Sequence, residues 1–282
     1  MTDQPAIETR HAPADDSVLQ NITRELQAAL PALKEARPLV ELERAAAGRL
    51  DPLDLHAALR AASGGLVAEV KRGSPSKGEF APHLDAVAAA RLYRDAGAIA
   101  ISVLTSHHFF STSDDLSDVS DALRADEESG GTASLPLLRK DFHIDPYQVV
   151  EARVLGADAY LLIAKTLDTA QLRELIDAGD ALGMVAFVEV TDEAETVSAL
   201  QAGATVLGIN NRNLHTFEED LSTTERLRPL IPEDVPLVAA SGVRTTEDLA
   251  RVRACNVNGV LIGEALSTAK DPCAKIRELF DA

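Results

Sequence analysis

Glu69 and Lys71 stand two residues apart in the stretch LVAEVKRGSPSKG, residues 66–78, where a short apolar run opens into a Gly/Ser/Pro loop. Alternate side chains of a strand leave on the same face. The carboxylate and the ammonium therefore share one face at the strand's carboxyl end, while Ala68 and Val70 point to the other. Burying such a pair is costly unless the charges are matched or used, and the chemistry an adjacent acid and base offer is proton transfer. Similar groups recur at the ends of other apolar runs: Lys140 in LLRKDF, Glu189 in FVEV, and Asn210 and Arg212 in INNRN. Leu138 shares a face with Lys140, and Phe187 with Glu189, so each charge caps an inward-facing apolar column.

A second group of residues suits an anion. Ser74 follows the first run, Ser241-Gly242 follows the seventh and Gly263-Glu264 the eighth. Small residues after the last two strands of a parallel barrel commonly form a phosphate cradle, with backbone N–H groups turned to the anion. Either turn alone is commonplace; together they point to a phosphorylated ligand.

The elements that must carry these groups alternate along the chain. Eight aliphatic runs read as strands: 66–70, 98–104, 136–139, 159–163, 185–190, 206–209, 237–240 and 259–262. Between and after them lie helical patterns over 84–96, 113–124, 146–155, 169–181, 192–201, 223–230, 246–254 and 272–280. Asp145 before Pro146, Asp271 before Pro272, and Thr245 with Asp248 are helix starts. Gly97, Gly156 and Gly203, each flanked by alanine or leucine, close helices ahead of strands. Eight nearly all-apolar strands imply cover on both faces and a closed (β/α)8 barrel, residues 63–282. An open doubly wound sheet would carry a Gly-rich dinucleotide fingerprint after its first strand, and none is visible. Residues 1–62 do not fit the repeat. They read as an acidic, disordered lead (1–16) followed by helical patterns over 18–36 and 54–61, an extension that covers a barrel end or joins the site's rim. Residues 126–134, DEESGGTAS, read as a mobile loop.

Composition narrows the function. A net charge of −18 argues against nucleic acid, so anions must be met locally. No apolar run is long enough for a membrane span, and the polar N-terminus lacks a secretory pattern, so a soluble, cytoplasmic protein is expected. Cys255 and Cys273 lack metal or disulfide spacing. The adjacent His107 and His108, on an extended chain, should point apart and read as a solvated pair. The carboxylate excess suggests solvated outer faces, which fit either plain solubility or adaptation to a salty cytosol.

The motifs LVAEVKRGSPSKG, ISVLT...FF, LLRKDFHIDPYQVVEAR, GADAYLLIA, FVEV, GINNRNL, SGV and LIGEAL resemble those of the indole-3-glycerol phosphate synthase family, over about residues 67–266. The resemblance implies a (β/α)8 barrel with an N-terminal extension and no metal or organic cofactor. It implies closure of an indole ring, with loss of carbon dioxide and water, from 1-(2-carboxyphenylamino)-1-deoxyribulose 5-phosphate in tryptophan biosynthesis. Carried onto this sequence, it makes Lys140 the general acid and places Lys71 near the substrate carboxylate or reacting oxygen. Glu69 and Glu189 become proton carriers in the dehydration. Asn210 and Arg212 would hold the substrate, and Ser74, Ser241, Gly242, Gly263 and Glu264 the phosphate end, Glu264 through its backbone with its side chain in solvent. Implied partners are the small phosphorylated substrate and, for a monomer or weak oligomer, other enzymes of the pathway. The chain departs from the family pattern at Ala240, where glutamate usually precedes Ser-Gly, and in SHHFFSTSDDL. Two other readings fit the strand-end groups: a phosphate-sugar isomerase or a Schiff-base aldolase using Lys140, and a noncatalytic ligand-binding barrel.

Overall fold

The computed structural model describes residues 18–213 and 216–281. Eight parallel strands form a closed barrel in chain order: β1 (Gly65–Val70), β2 (Ala100–Leu104), β3 (Leu137–Lys140), β4 (Ala159–Ile163), β5 (Val185–Val190), β6 (Val206–Asn210), β7 (Leu237–Ala240) and β8 (Gly259–Ile262). Closure joins β1 to β8, with Val67 opposite Leu261. Every strand is buried almost throughout because helices cover its outer side. The ends expected from sequence agree within two residues.

Strand alternation divides the apolar residues into two layers. Val67, Leu138, Leu161, Phe187, Val206, Val238 and Leu261 meet in the barrel interior. Ala68, Val70, Leu137, Tyr160, Leu162, Val188 and Leu207 face the surrounding helices. The Phe187 ring fills the interior against β6, where a Cβ on Gly208 would come within 2.3 Å of it. Gly208 therefore makes space for the largest interior side chain.

The extension folds as α1 (Val18–Ala36), α2 (Leu39–Ala46) and α3 (Leu55–Arg60). It serves both roles expected of it. Leu55 and Leu59 close the amino-terminal end of the barrel, Leu59 lying beside Gly259 at the start of β8. At the opposite end, Leu19 joins the interior cluster with Ile163. Between them, Leu30, Leu42 and Ala46 pack on Tyr147 and Val150 of α6 (Pro146–Val154). The Tyr147 hydroxyl donates within reach of Leu33 O (3.1 Å) and Arg37 O (3.0 Å), tying the bend after α1 to the barrel. The reading of residues 1–16 lies outside the described residues.

The remaining helices are α4 (Ala86–Asp95), α5 (Ser113–Glu128), α7 (Thr169–Asp180), α8 (Glu193–Ala202), α9 (Ser222–Leu227), α10 (Thr246–Arg253), α11 (Glu264–Ser267) and α12 (Pro272–Phe280). Residues 126–128, expected in a loop, extend α5 by a turn. Asp126 accepts from Arg91 and Arg94 of α4, and these bonds hold the helix past Arg124. Among the described residues, no helix is long and apolar enough to cross a membrane.

The outer surface carries exposed pairs such as Arg251–Glu225 and Arg226–Glu193. Exposed pairs contribute little, and −18 net charges remain to repel one another. Salt shortens the screening length from about 10 Å at 0.1 M to about 3 Å at 1 M. Melting temperature, followed by circular dichroism, should accordingly rise from dilute buffer to 1 M KCl; a flat or falling profile would contradict adaptation to high salt.

Candidate active site

The carboxyl ends of the strands bring the acid–base groups to one floor. Lys140, at the end of β3, places Nζ 3.5 Å from Glu189 Oε2 on β5 and 4.0 Å from Glu69 Oε1 on β1. Lys71 Nζ lies 3.6 Å from Glu69 Oε2, giving an alternating row of two ammonium and two carboxylate groups. Both glutamates are buried, and the Lys140 and Lys71 side chains are 16% and 14% exposed. Burial is the largest single influence on the Lys140 ammonium and pushes its pKa down, but the fields of Glu189 and Glu69 together outweigh it. The net shift is upward. Lys140 is thus held as a proton-bearing acid.

Neighbouring elements hold these groups in place. Asn210 Nδ2 donates to Glu189 Oε1 at 2.9 Å, and Asn210 Oδ1 accepts from Arg212 N at 3.0 Å. Glu189 Oε2 is buried without a hydrogen-bond donor, so one lone-pair site remains beside Lys140. A Cβ on Gly263 would lie 2.4 Å from Glu69 Oε2, so only glycine at the end of β8 leaves room for that carboxylate. Backbone geometry shapes the next turn: Ser241 and Gly242 both adopt left-handed conformations, with φ of 65° and 84°. For Ser241 this conformation is uncommon.

Arg139 alternates with Lys140 and points outward. It is buried, with Nη1 2.8 Å from Glu151 and Nη2 3.3 Å from Asp141, while Nε donates to Thr105 Oγ1 at 3.2 Å. Gln148 accepts from Ile144 N and donates to Phe142 O, bracing the turn after Lys140. His143 sits beneath this turn with Nδ1 2.8 Å from Leu161 O. Burial, with help from Arg139, pushes its pKa down to about 3, so it stays neutral. RKDFHIDPYQ is therefore mostly a scaffold behind the one side chain, Lys140, that it turns into the pocket. Arg139→Leu leaves Glu151 and Asp141 facing a void, and a loss of about 3–5 kcal/mol of stability is expected, read from the urea midpoint.

Two lobes meet over this floor. One is mainly apolar and is walled by Val18, Leu19 and Ile22 of α1 together with Phe109, Phe142 and Leu161. The other is polar and runs past Ser241, Gly242, Arg244, Gly263, Glu264 and Lys275. Glu69, Lys71, Arg212, Ser241 and Leu261 line both. Ser74 and Ser76, in the loop after β1, hang over the first lobe, their hydroxyls 3.4 Å apart. Lys71 also lies 5.4 Å from the Phe109 ring centre. Such an ammonium over an aromatic face is favourable.

All the residues singled out from the sequence meet here, with one correction. The Glu264 side chain is only partly in solvent, 26% exposed; it pairs with Lys77 of the first loop and lies 3.9 Å from Arg212. Arg212 is also paired with Glu219, itself 2.7 Å from Arg244. Sequence reasoning missed Phe109, Phe142, Lys77 and Glu219 as parts of the site, and it placed the extension at the rim without naming Val18, Leu19 or Ile22. The doubled Phe109-Phe110 beside a strand end was the available signal. Ala240 is buried beside Asn210 and Leu261 in register, and lines the apolar lobe.

Fold and floor together define an acid–base enzyme of the (β/α)8 class. Solved structures agree on the fold: thiamine phosphate pyrophosphorylase from Pyrococcus furiosus matches with a TM-score of 0.59 at 17% identity, covering 81% of this chain and 96% of that one. The profile of indole-3-glycerol phosphate synthase matches residues 19–279. Proteins of that name are similar over most of the chain. The one from Dehalococcoides mccartyi (strain 195) is 47% identical over 81% of this chain and 86% of its own. The Roseiflexus sp. (strain RS-1) protein is 44% identical over 94% and 98%, respectively. The chain belongs to the indole-3-glycerol phosphate synthase family. Its activity is that of a carboxy-lyase of tryptophan biosynthesis, acting on a phosphorylated small molecule: 1-(2-carboxyphenylamino)-1-deoxyribulose 5-phosphate is closed to indole-3-glycerol phosphate with loss of carbon dioxide and water.

Proposed function

We propose that Lys140 is the general acid of ring closure, with Glu189, Glu69 and Lys71 completing the proton machinery around it. The observation that carries this reading is the position of Lys140 Nζ between two buried carboxylates at the junction of the lobes. The anilino ring suits the apolar lobe, and its carboxylate is drawn to Lys71. The sugar phosphate extends into the polar lobe, where Ser241, Gly242, Gly263 and Glu264 offer their backbone, Ser74 its hydroxyl and Arg212 its charge.

In that pose the ring carbon bearing the carboxylate attacks the ketone carbon while Lys140 delivers a proton to the ketone oxygen. A hydroxyl results. Carbon dioxide then leaves, and the bonding electrons it leaves behind restore the aromatic ring. Loss of the hydroxyl as water needs a proton donated to oxygen and one removed from the nascent five-membered ring. Glu69 and Glu189 flank Lys140 and carry these protons. Glu189 has the free lone-pair site for an incoming proton, and Asn210 orients both that carboxylate and a substrate hydroxyl or the anilino nitrogen. A pKa raised by Glu189 and Glu69 argues against Lys140 as a Schiff-base nucleophile, which must be uncharged to attack.

The decisive experiment is a fluorescence assay of indole-3-glycerol phosphate formation by wild type and Lys140→Ala, with borohydride added during turnover in a parallel reaction. Product from wild type, no product from the variant and no covalent adduct are expected. An adduct on Lys140 would replace this reading with the aldolase one. The enzyme is further proposed to work in the cytoplasm, as a monomer or weak oligomer that contacts other enzymes of the pathway. Sedimentation at several protein concentrations tests the oligomeric state.

A further inference from the structure

His107 and His108 do not point apart. The loop after β2 winds into a single 3-10 turn over His107–Phe109 rather than running extended, and this brings the two rings to 3.9 Å between centres, tilted by 37°. Both turn toward one side chain of the extension. His107 Nε2 is 3.4 Å from Glu25 Oε1, and His108 Nε2 is 3.4 Å from Glu25 Oε2. One ligand atom from each of the three residues falls within 4.8 Å of the others.

Each histidine–carboxylate separation, one to either oxygen of Glu25, has the size of an edge of a coordination polyhedron. Zinc binds imidazole nitrogen and carboxylate oxygen at about 2.0–2.1 Å, so neighbouring ligands at tetrahedral angles lie about 3.3–3.4 Å apart. Two imidazoles and a carboxylate form a donor set for a borderline divalent ion, with a fourth position left to solvent. His108 is the more buried of the two rings, its side chain 23% exposed against 71% for His107.

We propose that Glu25, His107 and His108 form a zinc-type divalent metal site that clasps the N-terminal extension to the rim of the barrel. The clasp is separate from the reacting floor and takes no part in the chemistry there. Its placement gives it a consequence for the site all the same. Ile22, one helical turn before Glu25, and Phe109, next to His108, line the apolar lobe. A metal across Glu25 and the histidines joins the two walls of that lobe.

The test is calorimetric titration of the untagged, full-length, EDTA-treated protein with zinc chloride near pH 7.5, with cobalt(II) absorption as a second readout of geometry. The expected result is saturation near one ion per chain, a tetrahedral cobalt spectrum and a metal-dependent rise in melting temperature. Loss of a direct ligand in His107→Ala should weaken binding by about 100-fold or more, since loss of outer partners alone weakens metal sites about 10–100-fold. Glu25→Gln should weaken it too, and Cys255→Ser with Cys273→Ser should not. Turnover of His107→Ala in EDTA should equal that of wild type. Absence of saturable binding, undiminished binding in His107→Ala, or loss of binding in the cysteine variant would each overturn the proposal.

Discussion

Lys140→Met is expected to lower turnover by about three orders of magnitude, in line with the contribution of a positioned general acid. The substitution keeps the unbranched side chain as far as its fourth atom and removes the ammonium with its proton and charge. It also leaves Glu189 Oε2 buried with no cation at 3.5 Å, so part of any loss could come from a disturbed floor. Lys140→Arg separates the two effects. A guanidinium restores the charge between Glu69 and Glu189, so the urea midpoint should return most of the way to wild type. Its proton is held too tightly, and its planar fork is the wrong shape to reach a ketone oxygen from the same backbone. Turnover of the arginine variant should therefore stay within about tenfold of the methionine variant. Substantial recovery of rate in Lys140→Arg would show that charge at this position, rather than proton donation, is what the reaction uses.

The second large effect is expected at Glu189. Glu189→Gln keeps the volume and the hydrogen bond to Asn210 but removes the carboxylate that most raises the Lys140 pKa. Two measurements should move together. Turnover should fall by about a hundredfold through loss of a proton carrier. The alkaline limb of the rate profile should shift as well. In wild type, Lys140 is active when protonated and its pKa lies above the ordinary value of 10.5, so activity persists until pH rises through that raised value. With Glu189 gone, burial still lowers the Lys140 pKa and only Glu69 opposes it. The limb must then move to lower pH. Rates measured to the alkaline limit of folding, with circular dichroism at each pH, provide the check; an unshifted limb would remove Lys140 from the role of titrating acid.

Much of this arrangement was legible in the residues because strand periodicity carries two kinds of information at once. The column Leu138–Lys140 and the column Phe187–Glu189 identify an inward face and a charged end, and both point inward in the structure. The outward partner Arg139 was less legible: an arginine in a strand tells nothing of Glu151, 12 residues further on, that balances it. Helix α2 was missed: its eight residues follow Pro38 with no side-chain N-cap, and its stability comes from Leu42 and Ala46 against α6. Helix α11 is shorter still. Reading Glu264 as solvent-facing failed for a related reason, since its partner Lys77 is 187 residues away and reaches it only after the barrel closes. The turn at His107 was likewise hidden: it is set locally by the Ser106 cap and a left-handed Phe110, a conformation that phenylalanine does not advertise.

Arg139 and Lys140 are adjacent, yet one braces the strand from outside while the other faces the pocket between Glu69 and Glu189. Inserting or deleting a single residue within Leu137–Lys140 would exchange them, putting a guanidinium fork into the pocket and an ammonium among the scaffold carboxylates. In this chain the length of that strand is therefore as strict a requirement as the identity of its last two residues.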